Sequence, residues 1–494
     1  MAIHKVLGTE TEFGITIRNQ PDFNPALASG LVVNSYAGGR VRIQWSFEEE
    51  TPGRDARGFG FDGIGTVEID AGLVNAVLTN GARLYVDHAH PEYSTPECFD
   101  PREAALYDKA GELVLAQAAS VAQELLPEGQ RLSIYKNNSD GKGNSYGAHE
   151  NYLVARDLPF GTIVNHLTTF LVTRQVFTGS GKVGAENGRP PVDYQISQRA
   201  DFFEEEVGLE TTLKRPIINT RDEPHGDPGK YRRLHVIIGD ANVSEIQTFV
   251  KLGSAALFLA ALEDGALPET LTLRDPVDAT WKVSHDVGLR EPLPLADGGS
   301  ATALDLQFQY LEWLSKYAET ELPEAVWSDV LTDWESVLVD LEADPLGTSD
   351  RLDWAAKYRL LQGYVDRDGL SWDDPKLAAL DLQYHDVDRE RGLYHRLVGR
   401  ELVRTMFSDD EVKAASEEPP ERTRAYFRGR CVAQFPDALV AANWDSLVFD
   451  IGEETLKRLP MMEPLRGSAA RVGELLSNAP DAAGLIRAIG GDDG

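Results

Sequence analysis

Four separate stretches of this chain carry polar groups two residues apart on segments that otherwise read as β-strands. They are Glu10/Glu12, Tyr85/Asp87, His149/Asn151 and Arg233/His235. Side chains two apart on a strand share a face, so each stretch has one apolar face and one face equipped for chemistry. Taken singly, each has an ordinary explanation. Paired glutamates usually mark a solvated face, and a lone histidine is more often a satisfied core residue than a ligand. Four such strands in one chain resist that explanation. Laid side by side in an antiparallel sheet, they make a polar floor. Oxygen ligands with an occasional imidazole suit hard cations, and those cations with an arginine neutralise nucleotide phosphates. The inventory fits two or more Mg²⁺ ions holding a nucleotide.

Two other motifs invite chemistry and fail. His88-Ala89-His90 places two imidazoles on one strand face, as a zinc site would. It runs at once into Pro91-Glu92, read here as the strand's end, and no third ligand has metalloenzyme spacing. Gly179-Ser180-Gly181-Lys182 looks like a fragment of a phosphate-binding loop. It has Val176 where a glycine is needed and Val183 where Ser or Thr is needed, so it reads as a flexible loop.

The surrounding elements must position the polar pairs. Residues 1–17 alternate as a single strand, with Gly8, Glu10, Glu12 and Gly14 on one face. Residues 18–65 are rich in Gly, Pro and Asn and read mostly as loop. A helix is expected over 102–126, with Pro101 at its start and Pro127 past its end. Strands are expected within 131–155, around a Gly-rich turn at 137–143, and again over 231–239. Helices are expected over 160–178 and from about Ser244 to Leu262. From 305 to 400 Leu, Trp and Tyr recur at helical spacing. Pro419-Pro420 marks an expected boundary between a catalytic domain, 1–418, and a small C-terminal domain, 419–494. No internal repeat is evident.

The bulk composition excludes several classes. The chain has 494 residues, 42% of them hydrophobic, enough for a sizeable core. A net charge of −32 repels phosphate backbones, so nucleic acid is not an expected partner. No unbroken apolar run is long enough for a membrane span, and the N-terminus lacks a signal peptide's apolar stretch. Cytoplasmic residence is the expectation. Cys98 and Cys431, the two cysteines, read as buried hydrophobes.

Longer motifs carry a family resemblance. Gly8-Thr9-Glu10-Thr11-Glu12-Phe13-Gly14, Tyr85-Val86-Asp87-His88-Ala89-His90-Pro91-Glu92-Tyr93, Gly147-Ala148-His149-Glu150-Asn151-Tyr152 and Arg232-Arg233-Leu234-His235 together resemble the Pup-processing enzymes. Ile196–Asp201 and Arg215–His225 match as well, and the resemblance spans essentially the whole chain. The family comprises a Pup ligase, which makes an isopeptide bond, and a Pup deamidase/depupylase, which breaks it.

The resemblance implies an α+β fold: a curved antiparallel sheet packed on helices, similar to glutamine synthetase, with a small C-terminal α/β domain. It implies ATP (or ADP plus phosphate) and Mg²⁺ as cofactors. Glu10, Tyr85, Glu92, His149 and His235 would contact the metal. Gly8, Thr9, Glu10, Thr11, Glu12, Ser94, Thr95, Asn151 and Arg233 would contact the nucleotide. Asp87 would be the catalytic carboxylate, as nucleophile or as base.

His88-Ala89-His90-Pro91-Glu92 and the preceding loop, with Asp55-Ala56-Arg57-Gly58-Phe59, look like the deamidase/depupylase branch. The implied reaction is deamidation of the C-terminal glutamine of Pup and cleavage of Pup–lysine isopeptides. The alternative is isopeptide formation with ATP consumption. The implied partners are Pup and pupylated proteins of a proteasome pathway. Arg199, Arg221, Arg232 and the arginines at 422–430 are candidates for a groove that receives acidic Pup.

Overall fold

The structure, a computed structural model, describes residues 2–490 apart from 21, 38–42, 48–49, 52 and 59–74. Much of the expected loop around 38–62, Phe59 included, therefore lies outside the described residues. Chain order runs β1 (Leu7–Glu12), β2 (Gly14–Arg18), α1 (Pro25–Ala37), β3 (Gln44–Trp45), β4 (Asn75–Val77), β5 (Arg83–Asp87), β6 (His90–Ser94) and α2 (Pro101–Gln123). It continues through β7 (Arg131–Tyr135), β8 (Ala148–Ala155), α3 (Phe160–Thr173), β9 (Tyr231–Val236) and α4 (Glu245–Glu263). Further helices fill 303–398, as the Leu/Trp/Tyr spacing anticipated.

Six strands form one antiparallel sheet in the order β9-β8-β1-β6-β5-β4. The architecture is α+β. Register brings the polar faces into rows. Glu10 stands between His149 and Ser94, Glu92 between Glu12 and Tyr85, and Asn151 between Gly8 and His235. The opposite face holds Leu7, Leu84, Tyr93, Tyr152, Val154 and Leu234, all buried. Helices α2 and α4 pack there.

α2 starts where the sequence places it. Asp100 caps it by accepting from the Glu103 N–H at 2.9 Å, with Pro101 in the first turn; such a cap contributes about 1 kcal/mol. α4 is long and apolar enough to cross a membrane by composition, yet 94% of its apolar window is buried inside the protein. It is apolar all round because packed elements surround it.

Four expectations need correction. The strand over 1–17 breaks at Phe13, and β2 leaves to pair with β7. Phe13 N–H donates to Pro91 O at 2.9 Å, and Pro91, lacking an N–H, returns no second bond. Residues 18–65 hold a helix, α1, capped by Asn24, whose Oδ1 accepts from Leu27 N–H at 3.1 Å. α1 packs on α2, β5 and β6, and its apolar residues show no 3.6-residue stripe to read.

Pro91-Glu92 does not end a strand. His88-Ala89 is a two-residue turn, with His88 at φ 52°, and β6 returns beside β5. The Gly179–Lys182 stretch is a buried connection rather than a flexible loop. Ser180 N–H donates to Asp240 at 2.8 Å, and Lys182 pairs with Glu186 at 3.0 Å.

The C-terminal segment builds a four-stranded sheet from β10 (Leu439–Ala442), β11 (Ser446–Phe449) and β12 (Lys457–Pro460), with β3 added along β10. Helices at Ala469–Asn478 and Ala482–Gly490 follow. Trp45, Phe427, Leu447, Phe449 and Leu485 form its core.

Candidate active site

β1 carries Glu10 and Glu12 on one face, and each anchors a cluster. Ligand atoms of Glu10, His149 and His235 lie within 4.8 Å of one another, and so do those of Glu12, Asp87 and Glu92. Residues two apart on a strand are separated by roughly 6–7 Å, so the clusters are neighbours along one floor.

In the first cluster, Glu10 Oε2 is 3.5 Å from His149 Nδ1. Asn151 Nδ2 donates to Glu10 Oε1 at 3.0 Å, and Arg233 Nη1 reaches the same oxygen at 3.4 Å. Burial works to raise the Glu10 carboxyl, but hydrogen bonding with His149 and the Arg233 charge hold it well below the usual range. His235 is pushed well below its usual value by burial and by Arg233, so its ring is neutral. Its Nε2 is buried and has no hydrogen-bond partner among the described residues.

In the second cluster, Glu12 Oε1 accepts from Gly147 N–H at 2.9 Å, and Oε2 lies 3.0 Å from His90 Nδ1. Glu92 is buried, with Oε2 unpartnered among the described residues. Burial first, then Asp87, Glu12 and Glu10, push its carboxyl well up. Three carboxylates packed this closely cannot all ionise without a compensating cation. The unpartnered His235 Nε2 and Glu92 Oε2 and the oxygen-rich donor set therefore fit divalent cations of the Mg²⁺ type. A side chain at Gly147 would fill this space. An added Cβ meets Glu12 Oε1 and His149 Nε2, each at 2.7 Å.

Asp87 sits at the outer edge, with 41% of its side chain exposed and His88 Nδ1 3.1 Å from Oδ1. Burial raises its carboxyl, but His88 and, farther off, His149 outweigh this and leave it below its usual value. His88 in turn is raised to about 9 by Asp87. Asp87 is thus an ionised, accessible carboxylate beside a cation-ready pair.

A mainly apolar pocket adjoins the Glu10 end of the floor. Gly8, Thr9, Glu10, Ser94, Thr95, Asn151 and Arg233 line it, as expected for nucleotide contacts. Thr11 and Glu12 do not. The Thr9 and Thr11 side chains point to the helix side, where Thr9 Oγ1 donates to Asp108 at 3.0 Å. Tyr85, expected at the metal, stays protonated because burial and Glu92 raise it far above its usual value. Its hydroxyl lies 3.4 Å from Ser94 Oγ, and it stands beside Glu92 of the second cluster.

Several site residues escaped sequence reasoning. His90 on Glu12 would have been legible had the His88-Ala89 turn been recognised, since His90, Glu92 and Ser94 alternate. Trp444 and Pro464, which close the pocket from the C-terminal segment with Arg424, had no local signal. Arg199, Arg232, Arg422, Arg424, Arg428 and Arg430, all offered for a Pup groove, are engaged within the chain, Arg232 through the Leu158 carbonyl. Arg424 and Arg428 bind Glu97, Arg422 binds Asp100, Arg430 binds Glu418, and Arg199 donates to the Gly239 carbonyl.

Comparison with known proteins places the chain in a family. Residues 5–448 match the family described as Pup-ligase protein. The chain is 53% identical to the depupylase of Acidothermus cellulolyticus, across 99% of this chain and 100% of that one. It is 48% identical to the Pup deamidase/depupylase of Mycolicibacterium smegmatis, across 99% and 100%. The Pup–protein ligase of a Nocardioides species is 42% identical, across 81% and 90%.

Two solved structures resemble the fold. One is the complex between Pup and its ligase PafA, with TM-score 0.81, 31% identity and coverage of 96% and 92%. The other is PafA in complex with ADP, with TM-score 0.75, 35% identity and coverage of 82% and 89%. The chain belongs to the Pup-ligase protein family.

Proposed function

We propose that this chain is a Pup deamidase/depupylase. It converts the C-terminal glutamine of Pup to glutamate and cleaves Pup–lysine isopeptide bonds. One observation carries the choice between the two family activities. Relatives bearing the deamidase/depupylase name reach 48–53% identity over the whole chain, whereas those named ligase reach 38–42%. Its substrates are accordingly Pup and pupylated proteins.

The chain's own residues account for the chemistry as follows. Asp87 is the reacting carboxylate, either attacking the glutamine side-chain carbonyl or deprotonating a water. His88, carrying its proton at neutral pH, keeps Asp87 ionised. Glu10, His149 and His235 would hold one Mg²⁺, and Glu12, Glu92 and Asp87 a second. Bound ions would offset charge developing on the carbonyl oxygen. Asn151 and Arg233 orient Glu10 and His235. Gly8, Thr9, Ser94, Thr95 and Arg233 would seat ATP, or ADP with phosphate, a reading supported by the ADP complex of PafA. Because amide hydrolysis is downhill, the nucleotide serves as a standing cofactor rather than as fuel.

Residues 419–494 are proposed as a small C-terminal domain that closes the nucleotide seat, on the evidence of Arg424, Trp444 and Pro464 in its wall. Cytoplasmic residence is proposed too; both cysteines are free and buried, as suits a reducing compartment.

The test is incubation with glutamine-ended Pup and either ATP or ADP, followed by mass spectrometry. A gain of about one dalton on Pup, many times per nucleotide, is expected from the exchange of an amide for a carboxylate. In a parallel incubation with glutamate-ended Pup, ATP and a lysine-bearing target, ADP formed in proportion to a Pup–lysine conjugate would assign the ligase reaction instead.

A further inference from the structure

A continuous stack of side chains runs from the nucleotide pocket to the strand that carries Asp87. Trp444, in the turn between β10 and β11, lines the pocket. Trp45 meets it edge-on, with ring centroids 5.1 Å apart. The Arg83 guanidinium lies 3.9 Å from the centre of Trp45 and 3.9 Å from the centre of Tyr85, sandwiched between the two rings. Tyr85 stands opposite Glu92 and two residues before Asp87 on β5.

Each member is held in place. Trp45 is fixed by backbone pairing to Ala442 of the C-terminal sheet, and its indole N–H donates to Glu50 Oε1 at 2.7 Å. Arg83 Nε donates to Asn75 Oδ1 at 2.7 Å on the neighbouring strand β4. Arg83 itself neither lines the nucleotide pocket nor belongs to either cluster.

We infer that Arg83 is a positioning residue: through Trp45 and Trp444 it makes the placement of Tyr85 and Asp87 depend on an occupied nucleotide seat. The physical basis is the shape of guanidinium. It is planar and stacks on two faces at once, and a cation–aromatic contact is favourable. A sandwich with two closely packed walls therefore couples the position of Trp444, through Trp45, to that of Tyr85. This would explain why a downhill hydrolysis is tied to a nucleotide at all, and in that respect the inference rests on the proposed function.

The experiment compares the full-length wild type with Arg83→Lys, Arg83→Met, Trp45→Leu and the double variant Trp45→Leu/Arg83→Met. Turnover of glutamine-ended Pup is measured at saturating nucleotide, ADP affinity by calorimetry, and melting temperature alongside. Arg83→Met is expected to lower kcat about tenfold, with KM for Pup and ADP affinity within about threefold of wild type. Arg83→Lys, which keeps the charge without the plane, should recover part of the loss. Trp45→Leu and the double variant should be no worse than Arg83→Met, because one stack is broken once.

A kcat within twofold of wild type for Arg83→Met would overturn the inference. So would additive losses in the double variant, or a fall in activity that only follows lowered melting. Should Arg83→Met not fold, an unchanged kcat in Arg83→Lys overturns it alone. If the wild type ligates rather than deamidates, the functional reading falls, and the same variant-to-wild-type ratios are read on ligation.

Discussion

The Oδ1 of Asn151 lies 2.9 Å from the Nδ1 of His235. The orientation of that amide is set from its other end, because Glu10 is an ionised carboxylate and only accepts, so the Asn151 nitrogen must face it. Its oxygen then takes the His235 Nδ1–H, and Nε2 keeps its lone pair, buried and unpartnered among the described residues. An outer residue thus fixes the tautomer that His235 would need as the proposed metal ligand. Asn151→Leu is expected to raise the Mg²⁺ concentration for half-maximal activity by about 10–100-fold. Activity titrated against Mg²⁺ at saturating nucleotide checks this, and an unchanged midpoint removes Asn151 from that role.

Asp87→Asn keeps the side chain's shape and removes its charge. Deamidation is expected to fall by roughly 10³-fold, the scale of a lost base or nucleophile. ADP should still bind, since Asp87 does not line the pocket proposed for the nucleotide. The variant should melt no lower than wild type, because one of the charges crowding Glu92 is gone. Deamidation within tenfold of wild type would assign the reacting group elsewhere.

Gly147 has a φ that any residue can adopt, so its reason for being glycine is space rather than conformation. In Gly147→Ala the new methyl group meets Glu12 and His149 at once. The substitution is expected to cost about 1–3 kcal/mol of stability while lowering turnover tenfold or more, as a small misplacement of reacting groups does. Thermal melting and kcat, measured on the same sample, separate the two effects.

How far the sequence could be read follows from the range of each signal. Period-two alternation is local, so β1, β5, β8 and β9 and their polar faces were legible without any partner strand. β6 was not, because Pro91 reads as a strand breaker; its missing N–H is tolerated where β1 breaks at Phe13. α1 was missed because Val32 and Val33 are fully buried among neighbours, and a helix covered on most sides shows no stripe. Grouping Glu12 with Asp87 and Glu92 required the register of three strands. Trp444 and Trp45 reach the site only through pairing of β3 with a sheet almost 400 residues away in sequence, which no window along the chain contains.

Glu97 lies beneath the junction of the main sheet and the C-terminal segment. Arg424 Nε donates to its Oε1 at 2.7 Å, and Arg428, fully buried, binds both of its oxygens. Burial alone would raise this carboxyl; Arg428 and Arg424 override it and hold it at about 2. A group depressed in the folded state stabilises the protein above its unfolded value, near 4.5, and loses that contribution as pH falls toward the folded value. The gap corresponds to about 3 kcal/mol. Wild type and Glu97→Gln should therefore differ most above about pH 5. Their stabilities should converge by about 3 kcal/mol between pH 5 and pH 2, with the wild type showing the steeper acid loss. Denaturant unfolding of both proteins across that range measures it. A difference independent of pH would mean that Glu97 contributes through shape and hydrogen bonding rather than through its charge.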